Sequence, residues 1–502
     1  MKHTAHNNLF PFFFIFFLLL LLLGPATTTN NNNNENNSSH ISLVISTKGL
    51  NFVKELLISK AITSLTPLYI PHIQQSKKIP FIGNVFIELS NVTLQHIQVS
   101  NSSIKPSDSA GVAILVSGAT ANLTLDWYYS YFSGFFFPLQ LSDRGLASIQ
   151  VDGIQVGLTL GLENQQGKLN ISLLECGCFV EDLTIKLDGG ASWLYQWFVD
   201  IFVERIESAV EEAITQKLRE ATSTLDSSLQ SLPKEIPIDD VASLNVSFVD
   251  EPVLTNASIG LQISGLFAAS DRTWEPKAHE QHLKTFSCDD PLKMIGISID
   301  EAVFLSASDL YFETGYLQWI VDKIPDQHLL NTGGWRLIIP QLYKKYPNDD
   351  MNMNVSLTRP PAIRISPKSI QVTVNAQLTI NVLEGGEVIP VVCISLEIQA
   401  SGSISMRGNT LGGKVKLDDF QMTLEWSKVG NLKMFLIKPA IWTVIETVLL
   451  PYTNIRLLKG FPLPMIRGFT LINAKIRYLD SGLVICSDVA YSDDNAHALV
   501  RV

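Results

Sequence analysis

This chain is poor in the residues that most directly announce chemistry. Five cysteines in 502 residues cannot build the disulfide framework of a small secreted scaffold. Cys176-Gly177-Cys178 lacks the second Cys or His pair that would complete a zinc site, so no metal is expected. Charge is scarce as well. With 17% charged against 46% hydrophobic residues, much of the surface this chain builds must be apolar. Residues 40–250 hold 13 Lys/Arg against 22 Asp/Glu, and residues 251–502 hold 23 against 25. Neither half is a basic footprint, which excludes nucleic acid as a partner and excludes anionic membranes captured by charge alone. No Gly-x-Ser-x-Gly occurs, and Gly190-Ala191-Ser192-Trp193-Leu194 lacks the final glycine of a nucleophile elbow. His279-Glu280-Gln281-His282 spaces its histidines by three, unlike a His-Glu-x-x-His zinc protease. No enzyme and no cofactor are expected.

Long hydrophobic runs are nearly absent too. The one unbroken by charge is Leu9–Leu23, interrupted only by Pro11, and it falls short of the roughly 20 residues a membrane-spanning helix needs. With Gly24-Pro25-Ala26 behind it, residues 1–26 read as a signal peptide and the mature protein as secreted. Residues 27–40 are an asparagine-rich tether with no means of folding. Behind a signal peptide the nine Asn-x-Ser/Thr sequons become glycan sites: Asn36, Asn37, Asn91, Asn101, Asn122, Asn170, Asn245, Asn256 and Asn354. Four or five are expected to carry sugar. One structural disulfide is expected through Cys176 or Cys178, with its partner left open.

What the chain does contain is apolar periodicity. Residues 191–229 begin as an almost wholly apolar helix, then turn amphipathic with Ile206, Val210, Ile214, Leu218, Ala221 and Leu225 recurring at steps of four or three. A step of four advances 400°, so the apolar seam winds obliquely and calls for a long, curved trough. Around this helix the order is regular. A strand at 42–46 leads into a helix from Thr47 that ends before Pro67, and residues 81–175 alternate as strands. A Pro-punctuated passage follows. Helices are then expected at Leu310–Val321 and Trp335–Tyr346, a meander at 353–436, an apolar helix between Pro439 and Pro451, and strands at 469–478 and 483–491. Helix, meander and long apolar helix, twice over, is an α+β grammar of two related units.

Four segments then narrow the field. Lys459-Gly460-Phe461-Pro462-Leu463-Pro464, with a terminal strand pair ending Ser487-Asp488-Val489-Ala490-Tyr491, resembles the C-terminus of the family of lipopolysaccharide-binding protein and bactericidal/permeability-increasing protein. Trp193-Leu194-x-Gln196-x-Phe198, followed by Ile206-Glu207-Ser208-Ala209, is similar to that family's long first-barrel helix. Ile45-Ser46-x-Lys48-Gly49-Leu50 resembles its opening strand and helix, and Ser231-Leu232-Pro233 its approach to the centre. The likeness runs from about residue 41 to the end; the asparagine-rich leader and Cys-Gly-Cys segment point to a plant branch.

The resemblance implies a tubular lipid-binding fold: a boomerang of two tandem barrels, each a twisted antiparallel sheet on a long apolar helix, joined by a central sheet. The first barrel would span 41–230, linker and central strands 231–265, the second barrel 266–460 and returning strands 461–502. Each barrel would hold phospholipid acyl chains in an apolar tunnel. The first would be lined by Leu50, Val53, Leu57, Leu194, Trp197, Phe198, Ile201 and Phe202, and the second by Ile441, Val444, Ile445 and Val448. Lipopolysaccharide, phospholipid and a peripheral membrane surface are the implied partners, in innate immune recognition, with a receptor left open; lipid transfer, as in the family's cholesteryl ester and phospholipid transfer members, is the alternative.

The departures are informative. The family's animal members carry a basic tip on the first barrel. Here the corresponding hairpin is Trp127-Tyr128-Tyr129-Ser130-Tyr131-Phe132-Ser133-Gly134-Phe135-Phe136-Phe137, with eight aromatics among eleven residues. That run has no strand alternation, so both of its faces are apolar, and its aromatics are expected to engage a membrane or lipid A. The family's disulfide joins a strand cysteine to the long helix. Cys176 or Cys178 fits the strand end, but the matching helix position is about Arg219, so that bridge is missing.

Overall fold

The computed structural model describes residues 38–79, 83–107, 111–133, 139–188, 196–270, 288, 292–324, 327–463 and 468–492. The leader, the tether up to Asn37 with its sequons Asn36 and Asn37, Leu194, the His279–His282 segment and the hairpin residues Phe135, Phe136 and Phe137 lie outside the described residues. The chain divides into two units. The first holds Ile45–Leu232 and Glu251–Gly260; the second holds Pro233–Asp250 and Leu261–Val502, with the described part of Leu22–Val44.

Strand β1 (Ile41–Ser46), counted mostly with the second unit, runs into α1 (Thr47–Leu65) of the first, where the Ser46 hydroxyl accepts the Gly49 N–H as an N-cap. The sheet strands follow: β2 (Leu68–Tyr69), β3 (Ile73–Ile79), β4 (Gly83–Gln98), β5 (Asn101–Ser107), β6 (Gly111–Ser133), β7 (Leu139–Gln165), β8 (Lys168–Phe179) and β9 (Asp182–Asp188). They form one antiparallel sheet in the order β2-β4-β6-β7-β8, with β3 on β4, β5 on β6 and β9 on β7. Helix α2 (Gln196–Gln230) closes the unit.

Strands this long must bend to wrap a helix, and the sequence shows how. A bulge shifts the register by one residue and so flips the face each later side chain takes. On β6 the buried positions are Val112 and Ile114, then Ala119, Ala121, Leu123, Leu125 and Trp127; the parity changes where the register with β7 shifts. On β7 they pass from Ala147, Ile149 and Val151 to Ile154 and Leu160, and on β4 from Val85, Ile87 and Leu89 to Val92 and Leu94. Gly118, Gly153 and Asn91, with φ of +66°, +66° and +53°, sit at these breaks. The apolar pattern changes phase with the backbone, so one face stays inward along the whole curl.

The second unit contains β10 (Glu235–Pro237), β11 (Ala242–Asn245) and β14 (Phe267–Ala269) as one small sheet. Between them, β12 (Val253–Thr255) and β13 (Ser258–Ile263) form a hairpin at the end of a six-stranded sheet ordered β12-β13-β1-β15-β24-β23. Its other members are β15 (Ile295–Asp300), β23 (Phe469–Leu479) and β24 (Gly482–Tyr491). Helix α3 (Glu301–Glu313), strand β16 (Gln318–Val321) and the short α4 (Pro340–Lys345) lead to β17 (Asp350–Leu357), β18 (Ala362–Ser366), β19 (Ser369–Glu384), β20 (Glu387–Arg407) and β21 (Thr410–Ser427). These pair as β16-β17-β19-β20-β21-β22, with β18 on β19 and β22 at Phe461–Pro462. Helices α5 (Met434–Val444) and α6 (Leu450–Lys459) lie against this sheet.

Three expected helices are corrected. Leu310–Val321 is not one helix. Asp300 caps α3 through the Ala302 N–H, Gly315 at φ +70° ends the turn after it, and Gln318–Val321 pairs with β17 as a strand. Between Trp335 and Tyr346 only Pro340–Lys345 is helical; Trp335 lies in a turn, buried, donating its indole N–H to the Leu329 carbonyl. The final helix does not stop at its prolines. It runs through Pro439 and Pro451, because a π-turn at Ile445–Leu449 lets the Leu450 N–H reach the Ile445 carbonyl and relieves the ladder before Pro451. The overall class is α+β, as expected.

Candidate functional site

The apolar interface between a long helix and a concave sheet recurs in both units, and it is graded. In the first unit, α2 buries Phe202, Ile206, Val210, Ile214, Thr222, Leu225 and Leu229. This is the oblique seam expected, with Leu218 only half-buried and Thr222 in place of Ala221 on the buried line. Against it lie Val85, Ile87, Leu89, Leu123, Leu125, Ala147, Ile149 and Leu183 of the sheet. A band around this sealed core stays half-buried: Ile62, Ile73, Val99, Val116, Tyr129, Tyr131, Val156, Ile185, Leu187, Val203 and Leu218.

The expected first-tunnel residues separate along that gradient. Leu50 and Val53 are 1% exposed and Phe202 4%, sealed against protein, whereas Leu57 is half-buried. Trp197, Phe198 and Ile201 are placed on α2, but their side chains fall outside the described ones. In the second unit Ile441, Val444 and Ile445 are sealed. Val448 keeps accessible area, with Trp319, Trp442, Leu449 and Leu450 beside it. Helix Met434–Lys459 is long and apolar enough to cross a membrane by length and composition, and its sealed face is instead core of this unit.

Strand β8 ends the main path of the first sheet, so its outer backbone groups need partners. Helix α2 supplies them. The Asp226 carboxylate accepts the Ile171 N–H at 3.0 Å and the Glu211 carboxylate accepts the Val180 N–H, just past β8, at 2.8 Å. Lys168 Nζ donates to the Gln230 carbonyl, and the Gln230 amide donates to the Leu169 carbonyl at 3.3 Å. Nothing in the residue pattern marks Glu211 and Asp226 for this role: both look like ordinary helix-surface charges until the register of β8 is known.

Strand alternation divides the aromatic hairpin between two faces. Trp127, Tyr129 and Tyr131 point inward and Tyr128 outward; Phe132 is 52% exposed. Trp127 therefore belongs to the core, a correction to its expected place at an exposed tip. Its ring stacks on Tyr129 at 6.2 Å and its N–H donates to the Leu146 carbonyl at 3.0 Å. Its register partner is Gly145, where an added Cβ would stand 2.7 Å from the indole. Burial falls along the inner face from Trp127 through half-buried Tyr129 and Tyr131 to Leu141, paired with Tyr131 and 53% exposed.

The expected disulfide is also corrected. Cys176 and Cys178 are both free thiols, and the bridge joins Cys288 to Cys486 across 198 residues of sequence in the second unit. Cys176 and Cys178 sit two apart on β8, hence on one face. Burial pushes the Cys178 thiol up to about 12, with Glu211 and Cys176 adding to the rise. Burial raises the Cys176 thiol too, opposed by the Arg219 guanidinium. So Arg219 does face the strand cysteine from the helix, as the family pattern implied, with a cation where a thiol would be needed. Of the described sequons, Asn91, Asn101, Asn122, Asn256 and Asn354 are exposed, while Asn170 and Asn245 are half-buried. A separate cleft of about 790 Å³ in the second unit is lined by Asp322, His328, Asn331, Arg336 and Asn348 among others. Its polar walls do not suit hydrocarbon.

The Lys459–Pro464 segment adds a backbone requirement. Gly460 has φ +62°, and a Cβ there would stand 2.2 Å from the Leu411 carbonyl oxygen, so only glycine lets β22 close onto β21. Comparison with known proteins agrees with this reading. The model of the LBP / BPI / CETP family N-terminal domain matches residues 49–232, and that of its C-terminal domain residues 237–491. A BPI/LBP family protein of Arabidopsis thaliana is 51% identical over 458 residues, covering 91% of this chain and 93% of that one. Human lipopolysaccharide-binding protein is 24% identical, covering 90% of this chain and 92% of its own. A crystal structure of lipopolysaccharide binding protein matches with a TM-score of 0.60 at 22% identity, over 90% of this chain and 99% of that one. At that identity it speaks for the fold. With both family domains matched in order and a plant relative half identical throughout, this chain belongs to the LBP / BPI / CETP family, on its plant branch.

Proposed function

We propose that this protein is a secreted, non-enzymatic lipid carrier that takes phospholipid acyl chains in one apolar trough per unit and engages lipopolysaccharide through apolar contact. The observation that carries the reading is the graded seam. In each unit a sealed helix–sheet core is flanked by half-buried apolar side chains packed against it, which is surface a hydrocarbon chain can share. The lining is then not the sealed Leu50, Val53, Ile441 or Val444 but the band beside them: Leu57, Ile62 and Leu218 in the first unit, and Val448, Leu449 and Trp319 in the second. Each CH₂ moved from water into such a seam gains about 0.8 kcal/mol. Two tails of about 16 carbons would gain on the order of 20 kcal/mol, so release into water is prohibitive and exchange needs another apolar surface.

Secretion accords with the apolar run Leu9–Leu23 and with the Cys288–Cys486 bridge, which persists only in an oxidising compartment. For lipopolysaccharide the charge balance sets the mode. The excess of acid over base in residues 40–250 favours apolar capture over phosphate-driven capture. Binding should survive 1 M salt, where the Debye length is about 3 Å. A steep loss of affinity with salt would refute that mode.

The test is a mass-spectrometric inventory of lipids extracted from protein secreted by a eukaryotic host, with native mass spectrometry for stoichiometry. Two phospholipids per chain are expected; a lipid-free species that unfolds cooperatively would overturn the reading. Exchange between labelled vesicles separates a carrier that displays its cargo from one that transfers it.

A further inference from the structure

Past the half-buried Val448, Leu449 and Leu450, helix α6 carries a cation in an unusual setting. The Arg456 guanidinium donates to the Tyr316 hydroxyl at 2.7 Å and to the Tyr452 hydroxyl at 3.0 Å, and it lies over both rings, 5.5 and 5.3 Å from their centres. The Tyr452 ring meets Trp319 edge-on at 6.4 Å. Tyr316 packs on Tyr311, whose own hydroxyl donates to Asp239 at 2.7 Å. The nearby carboxylate is thus already engaged, and the groups that raise the Arg456 pKa are the two tyrosines.

Donor arithmetic exposes what is missing. A guanidinium has five N–H donors and no acceptor, and two of the five are used here. Each phenol oxygen accepts from Arg456, so its own proton points elsewhere, and neither hydroxyl donates to another described residue. The cluster therefore offers an exposed positive charge, spare N–H groups and two O–H donors, with each phenol oxygen already accepting from the guanidinium. Ile455 and Leu457, the chain neighbours of Arg456 on α6, are exposed at 62% and 37%. Trp319, which Tyr452 meets, packs against the apolar core of the second unit. A cation with spare donors, joined through Tyr452 and Trp319 to an apolar core and flanked on α6 by exposed aliphatics, fits an anion that carries hydrocarbon of its own. The ring faces are already covered by the guanidinium, so they form no cage for a quaternary ammonium.

We propose that Arg456, Tyr316 and Tyr452 receive the phosphate of a phospholipid whose acyl chains lie along the second-unit helix. This inference rests on the reading of the second unit as an acyl-chain trough and adds the group that selects the headgroup. A bidentate guanidinium contact to phosphate, flanked by two phenol donors, distinguishes a phospholipid from a neutral glyceride of the same chains.

The experiment loads the full chain from vesicles containing either phosphatidic acid or diacylglycerol with matched tails, and counts bound lipids by native mass spectrometry. At a lipid concentration that loads the wild type with two phosphatidic acids, Arg456→Gln and the Tyr316→Phe/Tyr452→Phe double variant should each retain one. Diacylglycerol loading should be the same in all three proteins. Millimolar inorganic phosphate should displace neither lipid; displacement would assign the cluster to a free anion and overturn the proposal. Equal loss of both lipids would make Arg456 a purely structural residue, and no change in either would remove it from the site. Should the wild type load neither lipid, the trough reading fails first and the headgroup assignment falls with it. The phenylalanine pair keeps both rings, so it tests the hydroxyl donors even if Arg456→Gln fails to fold.

Discussion

Removing the two carboxylates that seal β8 to α2 should loosen the first unit more than any pair of exposed charges. Exposed ion pairs contribute little because water competes for both partners. Glu211 and Asp226 differ, because each accepts a backbone N–H from a residue, Val180 or Ile171, that is only 4% exposed. A hydrogen bond to an ionised acceptor contributes about 1.5–3 kcal/mol. Losing both then costs about 3–6 kcal/mol, with the N–H groups stranded at a sheet edge that little water reaches. For a unit of this size, 1 kcal/mol moves Tm by about 2–4 °C, so the Glu211→Ala/Asp226→Ala protein should lose at least about 6 °C in the first unit's transition. Amide hydrogen exchange gives the local readout: Ile171 and Val180 should lose protection while Leu123 and Ile149 in the sheet core keep it. Glu211→Gln/Asp226→Asn retains an acceptor oxygen at each place and should recover most of the loss. If the alanine pair melts within about 1 °C of wild type, or if its exchange rises uniformly, the helix is held by its apolar seam alone and the edge-sealing argument is wrong.

Four further outcomes follow from the same geometry. Gly145→Ala puts a methyl 2.7 Å from both the Trp127 ring and the Asp188 carbonyl and should cost about 1–3 kcal/mol by overpacking, measured by denaturant unfolding. Opening the Cys288–Cys486 bridge, which spans 198 residues, should cost up to about 5 kcal/mol on chain-entropy grounds; a Cys288→Ser/Cys486→Ser protein that melts as wild type would refute this. Burial, with Glu211, Glu204 and Asp182 around it, raises the carboxyl of Glu207. A raised folded-state pKa means stability that is present below the usual carboxylate range and is lost as pH rises through the Glu207 titration. Glu207→Gln should therefore stabilise at pH 7 and make no difference near pH 4. Phe132→Ser should leave Tm nearly unchanged, since that ring is half exposed, while weakening vesicle binding severalfold; unchanged binding would remove the outer face of the hairpin from the site.

Much of this fold was legible because hydrophobic phase is a backbone property. The seam of α2 stood in the spacing of Ile206, Val210 and Ile214, all buried, with Leu218 half-buried beyond them. The errors have separate physical causes. Leu310–Val321 looked helical because a helix and an apolar strand lie there end to end, and only the Asp300 cap and the Gly315 turn locate the break. Prolines 439 and 451 looked like helix ends because the π-turn that accommodates the second leaves no mark in composition. The disulfide could not be assigned because spacing carries no information about pairing across 198 residues.

The site was less legible for a reason that reaches beyond this chain. Sealed and half-open apolar residues are chemically alike. Val444 and Val448 differ by one turn along a helix, Val53 and Leu57 by another, and in each pair one side chain is closed off by protein while the other keeps accessible area. What separates them is how closely the sheet follows the helix at that level, and that is set by where the strands bulge. On β6 and β7 the bulges lie at Gly118 and Gly153, well before the aromatic end of the hairpin, where burial falls from Trp127 to Leu141. The parity changes in the strand pattern are therefore the sequence feature that marks where the sheet bends. Beyond the last of them burial falls along the inner face, and the half-open apolar residues that follow are those the proposed function would have lipid cover.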